Sequence, residues 1–336
     1  MMNYWKNTKV LITGGAGFIG SHLADRLLEL GVKEIRIIDD LSRGRLENLS
    51  QALTSGRVIF CQDDIRNAEI VFRLARDCDY IFHLAAWRIH RCEAEPMTAL
   101  EVMVRGTHNV LEAGVRAQVK KVIYASSASV YGQATQFPTP ETYPPYANDT
   151  LYGWAKLMGE GLLKWYARKG LLSGTCLRFF NVYGPRMDTE GKYTEVIIRW
   201  MEALFQGDRP IIHGDGSASY DFVHVQDVIQ ALVLAARTGP SWGVYNVGTG
   251  QETSLRELAR MLACLVGKPE AEPIFLAERA PSVYRRLACL EKIMRELGYK
   301  PLVMLPQGLS DLVRWYCEMK SREVVSREPS YVTTRG

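Results

Sequence analysis

Two residues with acid–base potential, Tyr152 and Lys156, are four positions apart in a segment whose apolar spacing predicts a helix over 152–168. Side chains at this spacing lie on the same face of a helix. A phenol is a poor base, with a pKa of about 10, but a neighbouring ammonium stabilises its ionised form and lowers that value. The pair could therefore take a proton from a substrate hydroxyl. Because the spacing also arises by chance, its weight depends on where the pair lies in the fold.

A glycine-rich segment near the N-terminus, Thr-Gly-Gly-Ala-Gly-Phe-Ile-Gly at residues 13–20, follows an apolar run and opens a helical pattern. Gly14 permits a tight turn, Gly17 lets a pyrophosphate approach the backbone, and Gly20 lets the helix pack on the sheet. Phosphate groups would then meet unpaired N–H groups at the helix N-terminus. Strand, glycine loop and helix together predict a dinucleotide-binding site.

An acidic residue at the end of the next apolar run indicates which dinucleotide binds. Asp39, nineteen residues after Gly20, could accept hydrogen bonds from the adenosine 2′- and 3′-hydroxyls of NAD and would repel the 2′-phosphate of NADP. NAD is therefore the expected cofactor, with Arg43 as the one feature against it. The positive nicotinamide ring would further favour an ionised Tyr152. We expect Asp40, Leu41, Ser42 and Arg43 to lie along the adenosine, and Asp64 and Ile65 near the adenine, although Asp64 equally suits a turn or cap.

The N-terminal half alternates β-branched runs, predicted as strands over 9–13, 35–39, 58–61, 80–84 and 121–126, with segments of helical period. Strands that are apolar on both faces and separated by helices are typical of a parallel, doubly wound α/β sheet. Tyr152 and Lys156 follow the fifth strand, which ends in Ser-Ser-Ala-Ser at 126–129. The carboxyl ends of such strands face the cofactor crevice, so a serine hydroxyl there could hold the substrate oxygen.

The pattern loosens after residue 180, where glycine and proline become frequent. We therefore expect an NAD-binding Rossmann domain over 1–180, to which 221–250 return. A smaller, mixed α/β substrate-binding lobe is expected over 181–220 and 251–320. Residues 321–336 are polar and predict a frayed tail.

The composition argues against several classes of protein. The 336 residues carry a formal net charge of +4 without a long basic or acidic run, which disfavours binding to nucleic acid or a membrane surface. No apolar stretch reaches the ~18–20 residues that span a bilayer, and the first strand begins too near Met1 for a signal peptide. Seven scattered cysteines without a C-x-x-C pair suit reduced thiols in the cytoplasm. No His/Cys/Asp spacing indicates a metal site.

Five motifs in order give the chain a family resemblance. They are the G-x-x-G-x-x-G loop, His-Leu-Ala-Ala at 83–86, Ser-Ser-Ala-Ser-Val-Tyr-Gly at 126–132, the Y-x-x-x-K pair, and Leu-Arg-Phe-Phe-Asn-Val-Tyr-Gly-Pro-Arg at 177–186. From about residue 9 to 316 the chain resembles the extended short-chain dehydrogenase/reductases, and within them the nucleotide-sugar epimerases and dehydratases of UDP-galactose 4-epimerase type. The resemblance implies NAD, a nucleotide-diphospho-sugar substrate, and a homodimer formed through the helices at 98–114 and 152–168.

The resemblance also implies roles for individual residues. Ser127 would be the catalytic serine, Tyr152 the base and Lys156 its partner. Arg279 would grip the substrate diphosphate and Asn181 would approach the sugar. Around the cofactor, Phe18 and Ile19 would line the pyrophosphate, Leu84, Ala85, Ala86 and Arg88 would pass beneath it, and Phe180 would approach the nicotinamide.

Three positions depart from the family pattern. Met103 stands where such epimerases often carry an asparagine that contacts the cofactor. Tyr220, expected in the substrate site, stands where many relatives have an arginine that pairs with a phosphate, and a tyrosine offers no charge there. Cys289 replaces a usual aspartate. The substrate diphosphate must therefore be held differently, or the substrate is unusual.

The residues after Ser127 discriminate among reactions. The family's dehydratases carry an acid and a base at these two positions, and its decarboxylases typically keep a glutamate at the second. Ala128 and Ser129 cannot supply the acid and base of a dehydratase at neutral pH, and Ser129 counts less strongly against a decarboxylase. Removal and return of a hydride remain, which predicts epimerisation through a keto intermediate, with C4 the best candidate carbon.

Two other interpretations stay open. The first is a decarboxylase or simple oxidoreductase of the same family, which product mass or release of free NADH would reveal. The second is an NAD-binding protein without catalysis, a use to which this fold can be turned. An intact Ser127, Tyr152 and Lys156 argue against the second, because a non-enzyme would not need all three.

Overall fold

A seven-stranded parallel sheet forms the centre of the molecule. The structure is a computed structural model that describes residues 2–189, 195–277 and 283–327. The central sheet has the strand order β11-β6-β5-β4-β1-β2-β3, and every neighbouring pair in it is parallel. In the described residues the strands are β1 Lys9–Thr13, β2 Glu34–Asp39, β3 Val58–Gln62, β4 Tyr80–His83, β5 Lys121–Ser127, β6 Gly174–Phe179, β7 Asn181–Tyr183, β8 Ile211–His213, β9 Ser219–Tyr220, β10 Phe222–His224, β11 Trp242–Val247, β12 Thr253–Ser254, β13 Ile274–Leu276 and β14 Arg285–Arg286.

Helices cover both faces of this sheet. In the described residues they are α1 Met2–Trp5, α2 Phe18–Glu29, α3 Ser50–Thr54, α4 Ala68–Ala75, α5 Ile89–Ala94, α6 Pro96–Leu100, α7 Thr107–Arg116, α8 Leu151–Arg168, α9 Val196–Gln206, α10 Val225–Arg237, α11 Leu255–Leu265, α12 Glu291–Leu297 and α13 Leu305–Arg327. A first core packs α2 and α10 on one face, and a second core packs α4, α7 and α8 on the other. Because helices cover both faces, the strands are continuous apolar runs. The predicted doubly wound Rossmann fold is confirmed.

The strand order reverses beside β1, and the loops after β1 and β4 meet at this point. Gly14, the first residue after β1, has a φ of +70°. A Cβ at Gly14 would lie 2.8 Å from the Ala85 backbone in the loop after β4. This position therefore requires glycine, both for its backbone conformation and for the close approach of the two loops. A crevice at such a reversal is where doubly wound folds bind ligands.

A smaller lobe is built from the C-terminal strands. Strands β7 and β10 pair in parallel, as do β8 and β13, and β9 lies between β12 and β14. Side chains of α9, α11 and α13 form a third core in this region. The predicted mixed α/β character of the lobe is confirmed.

The chain path differs from the predicted domain division in two details. Leu290, Ile293 and Leu297 pack in the first core, so this segment returns to the central sheet instead of remaining with the lobe. Helix α13 continues to Arg327, seven residues into the predicted tail. The remainder of that tail, 328–336, lies outside the described residues.

A buried ion pair ties α8 to the central sheet. Arg178 on β6 donates from Nε and Nη2 to the two carboxylate oxygens of Glu160 on α8, at 2.8 and 2.7 Å. Ser126 Oγ, near the end of β5, donates to the same carboxylate at 2.5 Å. Burial lowers the pKa of Arg178, but the hydrogen bonds and charge of Glu160 outweigh it and raise that pKa overall. The pair therefore locks the helix against two strands.

Replacing Arg178 with methionine should destabilise the fold by about 3–5 kcal/mol, because Glu160 would be left buried without its counter-charge. The matched control is Arg26→Met, which breaks the exposed Arg26–Glu29 pair and should cost less than about 1 kcal/mol. Urea unfolding followed by circular dichroism measures both values. Equal losses for the two variants would contradict a structural role for the buried pair.

Candidate active site

The first turns of α8 hold Tyr152 and Lys156 at the carboxyl end of β5. The Thr150 hydroxyl oxygen accepts a hydrogen bond from the Gly153 N–H at 3.1 Å, which caps the start of the helix. The Lys156 side chain is buried, and its Nζ donates to the Ala125 carbonyl on β5 at 2.6 Å. The same Nζ lies 5.8 Å from the centre of the Tyr152 ring. The ammonium is thus fixed at the end of the strand, beside the phenol.

Ser127, the last residue of β5, lies on the same side as Tyr152. Its Oγ accepts a hydrogen bond from the Ser129 N–H at 3.1 Å and donates to Ser129 Oγ, also at 3.1 Å. A hydrogen bond with Ser127 also acts on the pKa of Tyr152. The structure therefore brings together the three residues that the sequence analysis assigns to catalysis.

Burial controls the protonation of the catalytic side chains in the protein alone. It lowers the pKa of Lys156 to about 8. It raises the pKa of Tyr152, against the hydrogen bond from Ser127 and the charges of Arg286 and Arg43. From sequence, Lys156 and the nicotinamide charge together are expected to lower the pKa of Tyr152. The shift in the protein alone is upward because removal of the phenol from water outweighs the cations around it.

The glycine loop leads directly into α2. The N–H of Gly14 donates to the Ile38 carbonyl at 2.8 Å, which anchors the loop on β2. Gly17 precedes α2 without a capping side chain, so the N–H groups of the first turn are available to a ligand. A Cβ at Gly20 would lie 2.3 Å from the Gly14 carbonyl oxygen, so the helix could not approach the loop with any other residue. These features fit a bound pyrophosphate.

Asp39 forms the floor of the crevice at the end of β2. Its carboxylate accepts hydrogen bonds from the Ala16 N–H at 2.9 Å and the Leu41 N–H at 3.0 Å. Burial raises the pKa of Asp39, and these N–H groups oppose the rise. Arg43, whose positive charge was the one feature against NAD as the cofactor, donates a hydrogen bond to Asp188 at 3.2 Å. Asp39 therefore offers a fixed acceptor that fits an adenosine ribose.

One continuous cavity of about 2220 Å³ joins the glycine loop to the catalytic residues. Pockets for a single small ligand are typically ~300–1,000 Å³, so this cavity has room for a dinucleotide and a second ligand. Leu41 does not line it, because this residue has a φ of +57° and packs against the first core. Arg279 lies outside the described residues. The predicted residues that line the cavity are Gly14, Gly17, Phe18, Ile19, Gly20, Asp39, Asp40, Ser42, Arg43, Asp64, Ile65, Leu84, Ala85, Ala86, Arg88, Ser127, Tyr152, Lys156, Phe180, Asn181 and Tyr220.

The structure shows what two of the three residues that depart from the family pattern contact. The sulfur of Met103 accepts a hydrogen bond from the Trp87 N–H at 3.2 Å, so this side chain supports the loop after β4. The Tyr220 hydroxyl donates to the Val283 carbonyl at 2.7 Å. Nothing in the structure explains Cys289.

Arg286 is a charged residue of the cavity wall beside the catalytic set that could not be assigned to the site from sequence. It lies on β14, beside Tyr220 of β9 in a parallel pairing, and its Nη1 is 3.4 Å from Ser129 Oγ. The two-residue strand carries no recognisable pattern. The only hint in the sequence is an arginine within the C-terminal segment assigned to the substrate lobe.

The fold and the site together define a dinucleotide-dependent enzyme with a serine–tyrosine–lysine set, and comparison with known proteins is consistent with this class. Residues 10–248 match the family model described as "NAD dependent epimerase/dehydratase family". A UDP-glucose 4-epimerase of Mycolicibacterium smegmatis is 40% identical over 313 residues, which cover 92% of this chain and 98% of the relative.

Solved structures agree. A UDP-glucose 4-epimerase of Thermotoga maritima, solved with UDP-glucose, has a TM-score of 0.86 at 34% identity and covers 93% of this chain and 100% of its own. A Thermus thermophilus UDP-glucose 4-epimerase in complex with NAD has a TM-score of 0.82 at 31% identity, covering 92% of this chain and 99% of its own. The chain belongs to the NAD-dependent epimerase/dehydratase family, and the prediction of an NAD-dependent enzyme of nucleotide-sugar metabolism is confirmed. Decarboxylases and dehydratases are also among its relatives.

No helix within residues 2–189, 195–277 and 283–327 is long and apolar enough to cross a membrane. These ranges also contain no cluster of three or more His, Cys, Asp or Glu side chains arranged to hold a metal ion.

Replacing Asp39 with asparagine should weaken NAD binding roughly 10- to 100-fold, because hydrogen bonds to a charged acceptor contribute about 1.5–3 kcal/mol. The discrimination against NADP should fall at the same time, since the repulsion of a 2′-phosphate is removed. Asp77→Asn is the matched control: its carboxylate is exposed and lies outside the cavity, and the change should alter affinity less than about threefold. Titration calorimetry with both dinucleotides measures these constants, and an equal loss for both variants would contradict the role of Asp39.

Proposed function

We propose that this protein inverts C4 of the sugar in a nucleotide-diphospho-sugar, through a transient 4-keto intermediate and with NAD as cofactor. The observation that carries the proposal is that Ser127, Tyr152 and Lys156 line the same cavity as the dinucleotide loop. Proton transfer from a hydroxyl can therefore occur beside a hydride acceptor. Relatives named UDP-glucose 4-epimerase support the reaction type.

The proposed roles follow from the contacts of each side chain. NAD, held by the glycine loop and Asp39, would supply the hydride acceptor and donor that inversion at C4 requires. Tyr152 takes the proton of the C4 hydroxyl during oxidation and returns it when the ketone is reduced. Ser127 holds that oxygen by a hydrogen bond. Lys156 stays beside the phenol because the Ala125 carbonyl fixes its ammonium.

The rest of the proposed site holds the two ligands. Gly17 and Phe18 would hold the pyrophosphate, and Asp39 the adenosine ribose. Asn181 suits the substrate, because its Oδ1 is buried in the cavity wall without a hydrogen-bond partner among the described residues. Arg279 remains our candidate for the diphosphate. The hydroxyl of Tyr220 already donates to the backbone, so this side chain would contribute shape rather than charge.

The residues after Ser127 favour epimerisation over the other reactions of the family. Elimination of water needs an acid and a base at the sugar, and Ala128 supplies neither. Ser129 is buried, and its hydroxyl is engaged with Ser127 and Arg286. Neither residue can transfer a proton at neutral pH, whereas the exchange of a hydride needs only Tyr152 and Ser127.

We further propose a homodimer formed through α8 and α6. Trp154, Met158 and Trp165 are all exposed and lie on one face of α8, with side chains 44%, 53% and 52% accessible. Met97 and Leu100 of the neighbouring α6 add exposed apolar surface. A contiguous apolar stripe on a folded enzyme is typical of an interface between subunits. A second copy of the same helices would cover it.

A cytoplasmic location completes the proposal. All seven cysteines, each within the described ranges, are free thiols. Disulfides form and persist in oxidising compartments and are rare in the cytosol. The free thiols therefore favour a cytoplasmic location.

Purified protein with NAD should convert a nucleotide sugar to a product of unchanged mass. A panel of UDP-, GDP-, CDP- and dTDP-sugars tests this, with the products separated by chromatography and identified by mass spectrometry. Tyr152→Phe should lose at least ~10²-fold in kcat, because general-base catalysis contributes about 10²–10⁴-fold, while NAD still binds. Loss of CO₂ or water would instead establish a decarboxylase or dehydratase. Full turnover by Tyr152→Phe would refute the proposed base.

Met158→Glu should convert the dimer to monomers, because it places a charge in the apolar interface and should weaken association ~100-fold or more. Leu302→Glu is the control, since Leu302 is also exposed and apolar, but its N–H is bonded to Asp227 of α10, on the sheet face opposite α8. Light scattering coupled to size-exclusion chromatography gives the mass of each variant. A wild-type mass of one chain would rule out the interface.

A further inference from the structure

Arg286 lies in the wall of the substrate cavity and faces the catalytic residues. It is paired in register with Tyr220, and its backbone carbonyl accepts a hydrogen bond from the Asp221 N–H at 2.8 Å. The side chain is half-buried and lines the cavity. Its position is thus fixed by strand pairing between two segments of the lobe that are far apart in sequence.

The guanidinium of Arg286 has no carboxylate partner among the described residues. Its Nη1 contacts Ser129 Oγ at 3.4 Å, and its buried Nε has no hydrogen-bond partner in the part of the chain that the structure describes. Burial lowers the pKa of Arg286. The phenols of Tyr220 and Tyr152 and the exposed carboxylate of Asp149 act in the opposite direction and do not outweigh burial. A buried cation without a paired anion is unfavourable, so such a group is usually satisfied by a ligand.

The neighbouring arginine shows the contrast. Arg285 points to the surface, where it donates from Nε and Nη2 to both carboxylate oxygens of Glu252, each at 2.6 Å. It also stacks on Phe137. Of two consecutive arginines, one is therefore fully satisfied by the protein and the other presents donors to the cavity.

The unpaired guanidinium of Arg286 lies at the end of the cavity where the sugar would bind, beside the catalytic residues. Ser129 Oγ, which contacts Arg286, is 3.1 Å from Ser127 Oγ, and Ser127 and Tyr152 must bracket the reacting carbon. A group held by Arg286 would therefore be only a few bonds from that carbon. The substrate diphosphate is separated from C4 by the anomeric carbon and the rest of the ring, so it is not the nearest anion.

We propose that Arg286 binds a carboxylate carried by the sugar ring, so that the substrates of this enzyme include nucleotide-linked uronic acids. The inference rests on the proposed epimerase function and specifies its substrate class. A carboxylate at C6 is adjacent to C5 and two bonds from C4, which matches the place of the guanidinium beside the catalytic set. Arginine is suited to this role because its planar fork donates to both oxygens of a carboxylate.

The chemistry of such a substrate constrains the site. Oxidation at C4 produces a β-keto acid, in which the electrons of the C5–C6 bond can move towards the ketone as CO₂ leaves. The resulting enolate would then take a proton at C5. Ser129 cannot donate that proton at neutral pH, and a carboxylate held by Arg286 is fixed in orientation. Epimerisation of a uronate therefore requires that the ketone is reduced before CO₂ is lost.

The test compares UDP-glucuronate with UDP-glucose, which differ at C6 alone. Wild-type protein should bind UDP-glucuronate at least ~10-fold more tightly. Arg286→Met should lose ~10²-fold or more in affinity for the uronate, while its affinity for UDP-glucose changes less than ~5-fold, as expected for loss of a charge pair with the carboxylate. Titration with UDP alone should be unchanged. Arg285→Met is the matched control and should leave both donors unaffected.

Other outcomes are distinguishable. Equal losses for both donors and for UDP would place the diphosphate on Arg286 and overturn the proposal. No turnover of any nucleotide sugar would refute the epimerase function, and calorimetric binding of the two donors would still decide the role of Arg286. Arginine-dependent formation of a pentose product would support carboxylate binding and overturn epimerisation. If Arg286→Met fails to fold, Arg286→Lys should raise KM for the uronate alone, because it keeps the charge and loses the fork.

Discussion

The contact between α8 and the carboxyl end of β5 fixes the geometry of the catalytic residues. Glu160 is held by Arg178 and Ser126, and Lys156, one turn earlier, is held by the Ala125 carbonyl. Gly159 permits this close approach, because a Cβ there would lie 2.3 Å from the Tyr124 hydroxyl. Tyr152 stands one further turn towards the start of the helix. Its distance from Ser127 is therefore a consequence of packing contacts that take no part in the chemistry.

The same burial that fixes these groups makes their charges sensitive to the contents of the cavity. Burial lowers the pKa of both Lys156 and Arg286 and raises that of Tyr152, so the protein alone favours a neutral phenol. Electrostatic interactions are stronger in a site from which water is excluded than in solution. An anion on Arg286 would cancel one of the cations that favour ionised Tyr152. The charge of Arg43 and the hydrogen bond with Ser127 would then be the remaining protein groups that lower the pKa of Tyr152.

Features set by local sequence could be predicted, and features set by long-range pairing could not. The glycine loop, Asp39, and the Tyr152–Lys156 pair each depend on a few consecutive residues or on one helical turn, and the structure places them at one cavity. Leu41 follows Asp39 directly, but its positive φ turns the side chain towards the core. That backbone reversal has no sequence pattern at a leucine.

Arg286 illustrates the opposite case. It reaches the cavity because β14 pairs with β9, more than sixty residues earlier, in a strand of only two residues. Periodicity cannot identify so short a strand. The packing of α12 in the first core also depends on long-range contacts. Its apolar face could pack on either lobe, and only the path of the chain decides between them. The sequence alone therefore predicts the cofactor half of the site better than the substrate half.

Positions 129 and 286 belong to one electrostatic unit, although the sequence separates them widely. A carboxylate at position 129 would face the guanidinium of Arg286, pair with it, and leave little positive charge for a ligand. Serine at this position gives a short, neutral link between Arg286 and Ser127 and keeps the guanidinium available. The absence of an acid at position 129 thus has two effects, because it removes a proton donor from the sugar and frees a cation. Reaction type and substrate charge are therefore coupled in this site through one small side chain.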